Sequence, residues 1–245
     1  MDAKIIHLDE VDSTNRFLRD YQPAEGEQAT VCTTLYQTAG RGCGKNTWES
    51  ERGQNLLFSL LIHPTGLPAS RQFFISMATA LAISDTLCDM GLQDISVKWP
   101  NDIYWRDRKL CGILIEHSLA GNLIRRSIIG IGLNVNQRRF LSDAPNPVSL
   151  RQILGHDTDP MQLLNDILRH MDFATENFDH TLLRYNSRLY RRDHLPHLFH
   201  DPQGTFQAEI VEVAPDGTLW LRRHDDRRLA SYAFKEIEYI ITEQP

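Results

Sequence analysis

The sequence predicts an α/β chain of the α+β kind, with a mixed body over residues 1–200 and a small all-β unit over 201–245. Two observations point there. Up to about residue 190, apolar runs of strand length alternate with stretches whose apolar residues recur at helical spacing. From about Pro202 the chain changes to short alternating segments separated by tight turns, the pattern of a small β-barrel.

The elements follow in order. Asp12, Ser13 and Thr14 are capping residues, and Phe17, Leu18 and Tyr21 follow at helical spacing, so a short helix is expected within Asp9–Tyr21. Ala29–Tyr36 is rich in β-branched residues and runs as a strand into a glycine loop. Asn55–His63 reads as a buried strand, interrupted only by Ser59. Ser70 is placed to cap a helix carrying Phe73, Phe74, Met77, Leu81 and Leu87, and Gly91 to end it. Ile95–Trp99 is a strand cut off by Pro100. Leu110–His117 and Ile128–Val135 form two more strands around a turn at Ala120-Gly121-Asn122. Asp159-Pro160 opens a helix with the stripe Leu163, Leu164, Ile167, Leu168 and Met171, and a second helix is expected around Leu182–Tyr190. Thr205–Val213, Thr218–Arg223, Arg227–Phe234 and Ile237–Ile241 are the short strands.

Charge and composition narrow the function classes. A net charge of −6 without a block of like charges argues against a general nucleic-acid binder, which needs a broad basic face. The acidic N-terminus lacks the basic start and long apolar stretch of a secretory signal, and no run approaches a membrane span, so a cytoplasmic protein is expected. Cys32, Cys43, Cys88 and Cys111 show neither disulfide nor zinc spacing.

Four segments carry chemistry. In Gln37–Trp48, Gly40, Gly42 and Gly44 let the backbone approach a ligand, Arg41 and Lys45 add positive charge, and Trp48 offers a flat face for a purine. The spacing matches neither the Walker loop nor the dinucleotide fingerprint. In Lys98–Asp102, Pro100 forces the chain out of the sheet, Asn101 and Asp102 offer oxygens to a hard cation, and Lys98 suits a phosphate. Lys109 enters a very apolar strand in which Gly112 permits close packing. Gly130 and Gly132 mark close approach by a ligand or another chain, and Asn134 and Asn136 are expected on one face of the same strand. Each segment alone also fits an ordinary turn or strand end.

In this order, the four segments resemble the biotin protein ligase family over about residues 5–190. The resemblance implies a catalytic domain like class II aminoacyl-tRNA synthetases, with a mixed, largely antiparallel sheet, and a C-terminal SH3-like β-barrel. It implies that Ser13, Thr14 and Asn15 hold the ureido head of biotin with Gln37, and that Gly40, Arg41, Gly42, Lys109 and Gly112 line the rest of the biotin site. Arg41, Gly42, Cys43, Lys45, Trp48, Lys98, Asn101 and Asn134 would meet ATP or the adenylate. Arg41, Lys98 and Lys109 would be catalytic, and Asp102 with Asn101 would hold Mg²⁺. The implied activity forms biotinyl-AMP from biotin and ATP, then transfers biotin to a lysine of a biotin carboxyl carrier protein.

The resemblance is to the monofunctional type without an N-terminal winged helix, so neither DNA nor a membrane is an expected partner. A homodimer formed beside the Gly130–Asn136 strand fits the family. A lipoate or octanoate ligase on the same scaffold and a non-catalytic biotin sensor are the alternatives. One departure stands out: Cys43 replaces an arginine of the family loop, and a thiol cannot grip phosphate by charge, so faster release of biotinyl-AMP is expected unless Lys45 compensates. His194, His197 and His200 fit a connecting segment better than a metal site, because Pro196 disrupts a helical face.

Overall fold

The computed structural model describes residues 2–44, 46–141 and 146–241. Seven strands form one sheet in the order β1-β2-β3-β7-β6-β5-β4. These are β1 (Lys4–Val11), β2 (Ala29–Gln37), β3 (Leu56–Ile62), β4 (Ile95–Lys98), β5 (Asp102–Trp105), β6 (Arg108–Ala120) and β7 (Leu123–Leu133). Among the described strands of this sheet, β1 and β2 pair parallel and the other neighbours pair antiparallel. The mixed, largely antiparallel sheet is the expected one.

Alternation along the central strands assigns the two faces. Leu56, Phe58, Leu60, Ile129, Ile131, Cys111 and Ile113 belong to the main core, under α2 (Phe73–Asp89), which packs against α4 (Pro160–His170) and α5 (Phe178–Ser187). The opposite face carries α1 (Thr14–Asp20), whose Leu18 meets Cys32, Leu61 and Ile128. The main core therefore occupies one side, leaving the α1 side free for a polar site. Asp159 caps α4 through Met161 N and Gln162 N, with Pro160 at the first position as the sequence predicts. A short α3 (Leu150–Leu154) has a Ser149/Gln152 capping box.

A second, antiparallel sheet of five strands has the order β11-β10-β9-β8-β12. It comprises β8 (His197–Asp201), β9 (Gly204–Val213), β10 (Leu219–Arg223), β11 (Leu229–Tyr232) and β12 (Glu238–Tyr239). It is tied to the first sheet through Trp99, whose Nε1 donates to Gly217 O at 2.8 Å. Gly217, at φ +93, also lies against the ring of Phe73 at the start of α2.

Several elements differ from the sequence expectation. β1 was not anticipated because it is a largely exposed edge strand, without the apolar alternation that marks a half-buried one. Ser70 lies in a 3₁₀ turn, Ala69–Arg71, and the helix starts at Phe73 without a side-chain cap. β7 ends at Leu133, so Asn134 and Asn136 lie beyond the strand. Asn134 turns into Val148 O and Asn136 into Thr158, hydrogen bonds that take the chain out of the ladder. The histidine segment contains β8: His197 pairs with Asp193 and His200 meets Thr205 Oγ1. Its inward positions are Phe199 and Asp201, and the buried acid, held by Arg223 and Tyr232, hides the apolar alternation. All four cysteines are free thiols, with Cys32 and Cys111 buried.

Candidate functional site

A cleft of about 1100 Å³ opens on the α1 side of the large sheet. Its floor consists of two rows of residues running across the strands. In the first, Ser59 of β3, Gly130 of β7 and Leu114 of β6 are direct neighbours. In the second, two residues further along, Leu57, Gly132, Gly112 and Asp102 cross β3, β7, β6 and β5. Residues two apart share a face, so both rows look into the same space about 7 Å apart.

Asn15 of α1 stands on the first row. Gly130 has no Cβ because one would press into the Asn15 amide, lying 3.0 Å from its Cγ. Ser59 Oγ donates to Asn15 Oδ1 at 2.6 Å and lies 2.7 Å from Thr14 Oγ1. Asn15 Nδ2 donates to Glu116 Oε2 at 2.9 Å and to Leu114 O at 3.3 Å. Thr14 donates its backbone N–H to Gln37 Oε1 at 2.9 Å. Ser13, Thr14 and Asn15 are all nearly inaccessible, so this end of the cleft is a preorganised polar pocket.

The second row is covered by Trp48. A Cβ on Gly112 would fall 2.8 Å from its Cζ3, and one on Gly132 would fall 2.7 Å from its Nε1. The indole thus fills a slot made by two cross-strand glycines, and its buried Nε1 has no hydrogen-bond partner. The close approach implied by Gly130 and Gly132 is made by the chain's own Asn15 and Trp48, and β7 has no free edge because β3 and β6 flank it.

Beyond Gly112 the site becomes charged. Lys109 Nζ lies 2.8 Å from Asp102 Oδ1, although that buried oxygen makes no hydrogen bond of good geometry. Lys98 Nζ lies over the rings of Tyr239 (4.7 Å) and Tyr104 (5.3 Å). Burial lowers the Lys98 pKa below the ordinary 10.5, and Asp102 offsets part of that cost. Arg41 lies on the first-row side, where it shares Glu116 with Arg19 at 3.2 and 2.6 Å. Burial alone would raise the Glu116 pKa, but the Asn15 hydrogen bond and the two arginines outweigh it and hold the group below 4.5. Asn101 donates to Ile113 O and to Cys43 Sγ at 3.2 Å. Burial and the Asp102 charge raise the Cys43 pKa above 9.0, so its thiol is neutral near pH 7.

Comparison with known proteins places this geometry. The model of the biotin/lipoate A/B protein ligase family matches residues 8–134, just over half of the chain and the whole floor of the cleft. The chain belongs to that family. Over 186 residues it is 32% identical to the bifunctional ligase/repressor BirA of Escherichia coli, spanning 75% of this chain and 57% of that one. Over 167 residues it is 32% identical to the biotin–[acetyl-CoA-carboxylase] ligase of Paracoccus denitrificans, covering 64% and 67% of the two chains. In fold it is similar to the biotin protein ligase of Aquifex aeolicus solved with biotin and ATP, with a TM-score of 0.79 and 24% identity over 98% and 99% of the chains.

In this member of the ligase family, Ser13, Thr14, Asn15, Gln37, Arg41, Gly42, Cys43, Trp48, Lys98, Asn101, Asp102, Lys109, Gly112 and Asn134 all line the one cleft. Gly40 sits behind it, buried beneath the Trp48 backbone. Lys45 lies outside the described residues. Sequence reasoning missed four contributors. Ser59 carried a signal, as the one polar residue in the apolar run of β3. Glu116 was visible at the end of an apolar strand but had no evident partner in sequence. Lys235 and Tyr239 come from the second sheet and had no local signal.

Proposed function

We propose that this chain is an ATP-dependent biotin protein ligase, which activates biotin as biotinyl-AMP and transfers the biotinyl group to a lysine of a biotin carboxyl carrier protein. The observation that carries this reading is the polarity of the cleft. One end is a set of uncharged donors and acceptors around Asn15 and Gln37, backed by Glu116, whose charge is matched by Arg19 and Arg41; the other gathers Lys98 and Lys109 about Asp102. A ligand with an uncharged urea head and an anionic tail matches that gradient, and the triphosphate of ATP suits the cationic end.

The chemistry needs positioning and neutralisation rather than a side-chain nucleophile. The biotin carboxylate attacks the α-phosphorus and pyrophosphate departs; the carrier lysine amine then attacks the acyl carbon and AMP departs. Two anions must meet in the first step. Lys109, released from Asp102, and Lys98 lower their repulsion and stabilise the charge that develops. Burial around Lys98 strengthens that effect. Arg41 and Glu116 connect the glycine loop to the Asn15 pocket, so the loop and the biotin head are held by one network. Water would be kept from the mixed anhydride by Trp48 and residues 41–43, which line the cleft. With Lys109 released from its Oδ1, Asp102 would hold Mg²⁺ with Asn101 beside it, and the ion would neutralise phosphate charge there.

The test is mass spectrometry of an apo biotin-carrier domain incubated with the protein, ATP, Mg²⁺ and either biotin or lipoate. A biotinyl mass gain that needs ATP is expected. A lipoyl gain instead would move the protein to the sister activity, and tight biotin binding without any gain would make it a sensor.

A further inference from the structure

We infer that Lys235, carried by the second sheet, is an ATP-binding residue that meets the β- and γ-phosphates above the glycine loop. The inference rests on the ligase reading and assigns the residue that makes up for the neutral Cys43.

Three observations support it. Lys235 sits at the tip of the turn between β11 and β12, closed by Glu236 N–H donating to Ala233 O at 3.1 Å. Its φ is +71°, the conformation of the third residue of a turn that favours glycine. A lysine there costs about 1 kcal/mol in backbone strain, and the turn lifts its side chain toward the glycine loop. Second, its ammonium lies against the glycine loop. A Cβ on Gly44 would fall 2.6 Å from Lys235 Nζ, and Gly44, itself at φ +71°, leaves the room that the ammonium uses. Its charge is felt at Cys43 together with those of Lys109 and Asp102. Third, its charge is unmatched: among the described residues no carboxylate lies within ion-pair distance of Lys235, whose ammonium meets the neighbouring Phe234 ring at 5.5 Å, whereas Lys109 is paired with Asp102 and Arg41 with Glu116.

The second sheet thus completes the cationic end of the cleft, with Tyr239 beneath Lys98 and Lys235 over the loop. When the carboxylate oxygen bonds to the α-phosphorus, the bond from that phosphorus to the bridging oxygen breaks and its electron pair leaves with pyrophosphate. An ammonium at that end stabilises the departing charge without transferring a proton.

Lys235→Gly is the informative variant, because glycine suits the positive φ and removes the ammonium with its stem. Its thermal midpoint should stay at or above that of wild type. Its KM for ATP and its inhibition constant for pyrophosphate should both rise about tenfold, the scale of one charge-assisted contact, with the KM for biotin unchanged. Lys235→Arg should stay near wild type, and Cys43→Arg in the Lys235→Gly background should restore most of the loss. Biotin-dependent exchange of pyrophosphate into ATP by wild type is read first, and its absence would overturn the ligase reading. Calorimetric titration of Mg·ATP and of pyrophosphate into wild type and Lys235→Gly decides the role of Lys235 separately. Affinities within twofold of each other, or no ATP binding by either protein, would overturn it.

Discussion

Replacing Gly130 with alanine tests the Asn15 pocket most directly. The added methyl would press into the Asn15 amide, 3.0 Å from Cγ and closer still to Oδ1. Carbon–oxygen contacts settle near about 3.3 Å, so Asn15 must retreat by roughly 1 Å. Asn15 is almost fully buried and has little space to take up that shift without losing its bonds from Ser59 and to Glu116. A lost buried hydrogen bond costs about 1 kcal/mol, and one to a charged acceptor about 1.5–3 kcal/mol. The sum, roughly 3 kcal/mol, corresponds to about a hundredfold loss in biotin affinity. Overpacking should cost about 1–3 kcal/mol of stability, offset by about 0.5–1 kcal/mol from losing a strand glycine. The net, up to about 2.5 kcal/mol, should lower the melting point of a chain of this size by up to about 10 °C. Titration calorimetry with biotin, with the KM for ATP as an internal control, separates the two effects. Ser59→Ala removes the donor without the push and should weaken biotin binding about fivefold. If Gly130→Ala binds biotin within threefold of wild type, the pocket is not where the urea head sits and the argument fails.

Three further outcomes follow from the same geometry. Gly132→Ala would place a methyl within 2.8 Å of three Trp48 ring atoms, so the indole should leave its buried slot and the variant's tryptophan emission should shift to the red of wild type; identical emission from the two proteins would contradict this. Because burial lowers the Lys98 pKa, its cation is lost as pH rises through a value below 10.5, and the KM for ATP should climb there; Lys98→Arg should move that limb upward, and an unmoved limb would assign it to another group. The same shift makes the unfolded chain the better proton binder between the two pKa values, so this group's contribution to stability rises with pH across that window. Trp99→Phe strands Gly217 O and should cost about 1–2 kcal/mol, read as a thermal midpoint about 2–8 °C lower; no change would mean that Trp99 does not couple the sheets.

What could be read from sequence divides along physical lines. β2, β3, β6 and β7 were legible because their alternation or continuous apolarity reports burial, and α4 because Asp159-Pro160 and its stripe report a capped amphipathic helix. β1, β5 and β8 were not. β1 is an exposed edge, β5 is four residues long next to a proline, and β8 buries an aspartate that only Arg223 and Tyr232 make tolerable. Burial of that acid depends on partners more than 20 residues away, which no local window contains. The site divides in the same way. Gly112, Gly130 and Gly132 announced close approach, but sequence could not say that Asn15 and Trp48 make it, since that depends on strand register.

Register also explains why the two ends of the cleft act as one site. Asp102 reaches the second row only because β5 pairs Asp102 with Gly112, and Gly112 pairs with Gly132. Shifting β6 by one residue against β7 would turn Lys109, Gly112 and Glu116 to the opposite face together. The apolar residues of β6, Cys111, Ile113 and Ile115, would then face the cleft, and the core under α2 would receive two charges. Burial of that core therefore fixes the register, and the register aligns the Asn15 pocket with the lysines. The spacing between the two ends of the cleft is a consequence of hydrophobic packing on the far side of the sheet, so core substitutions in β6 that loosen pairing with β7 should weaken the proposed biotin and ATP binding together.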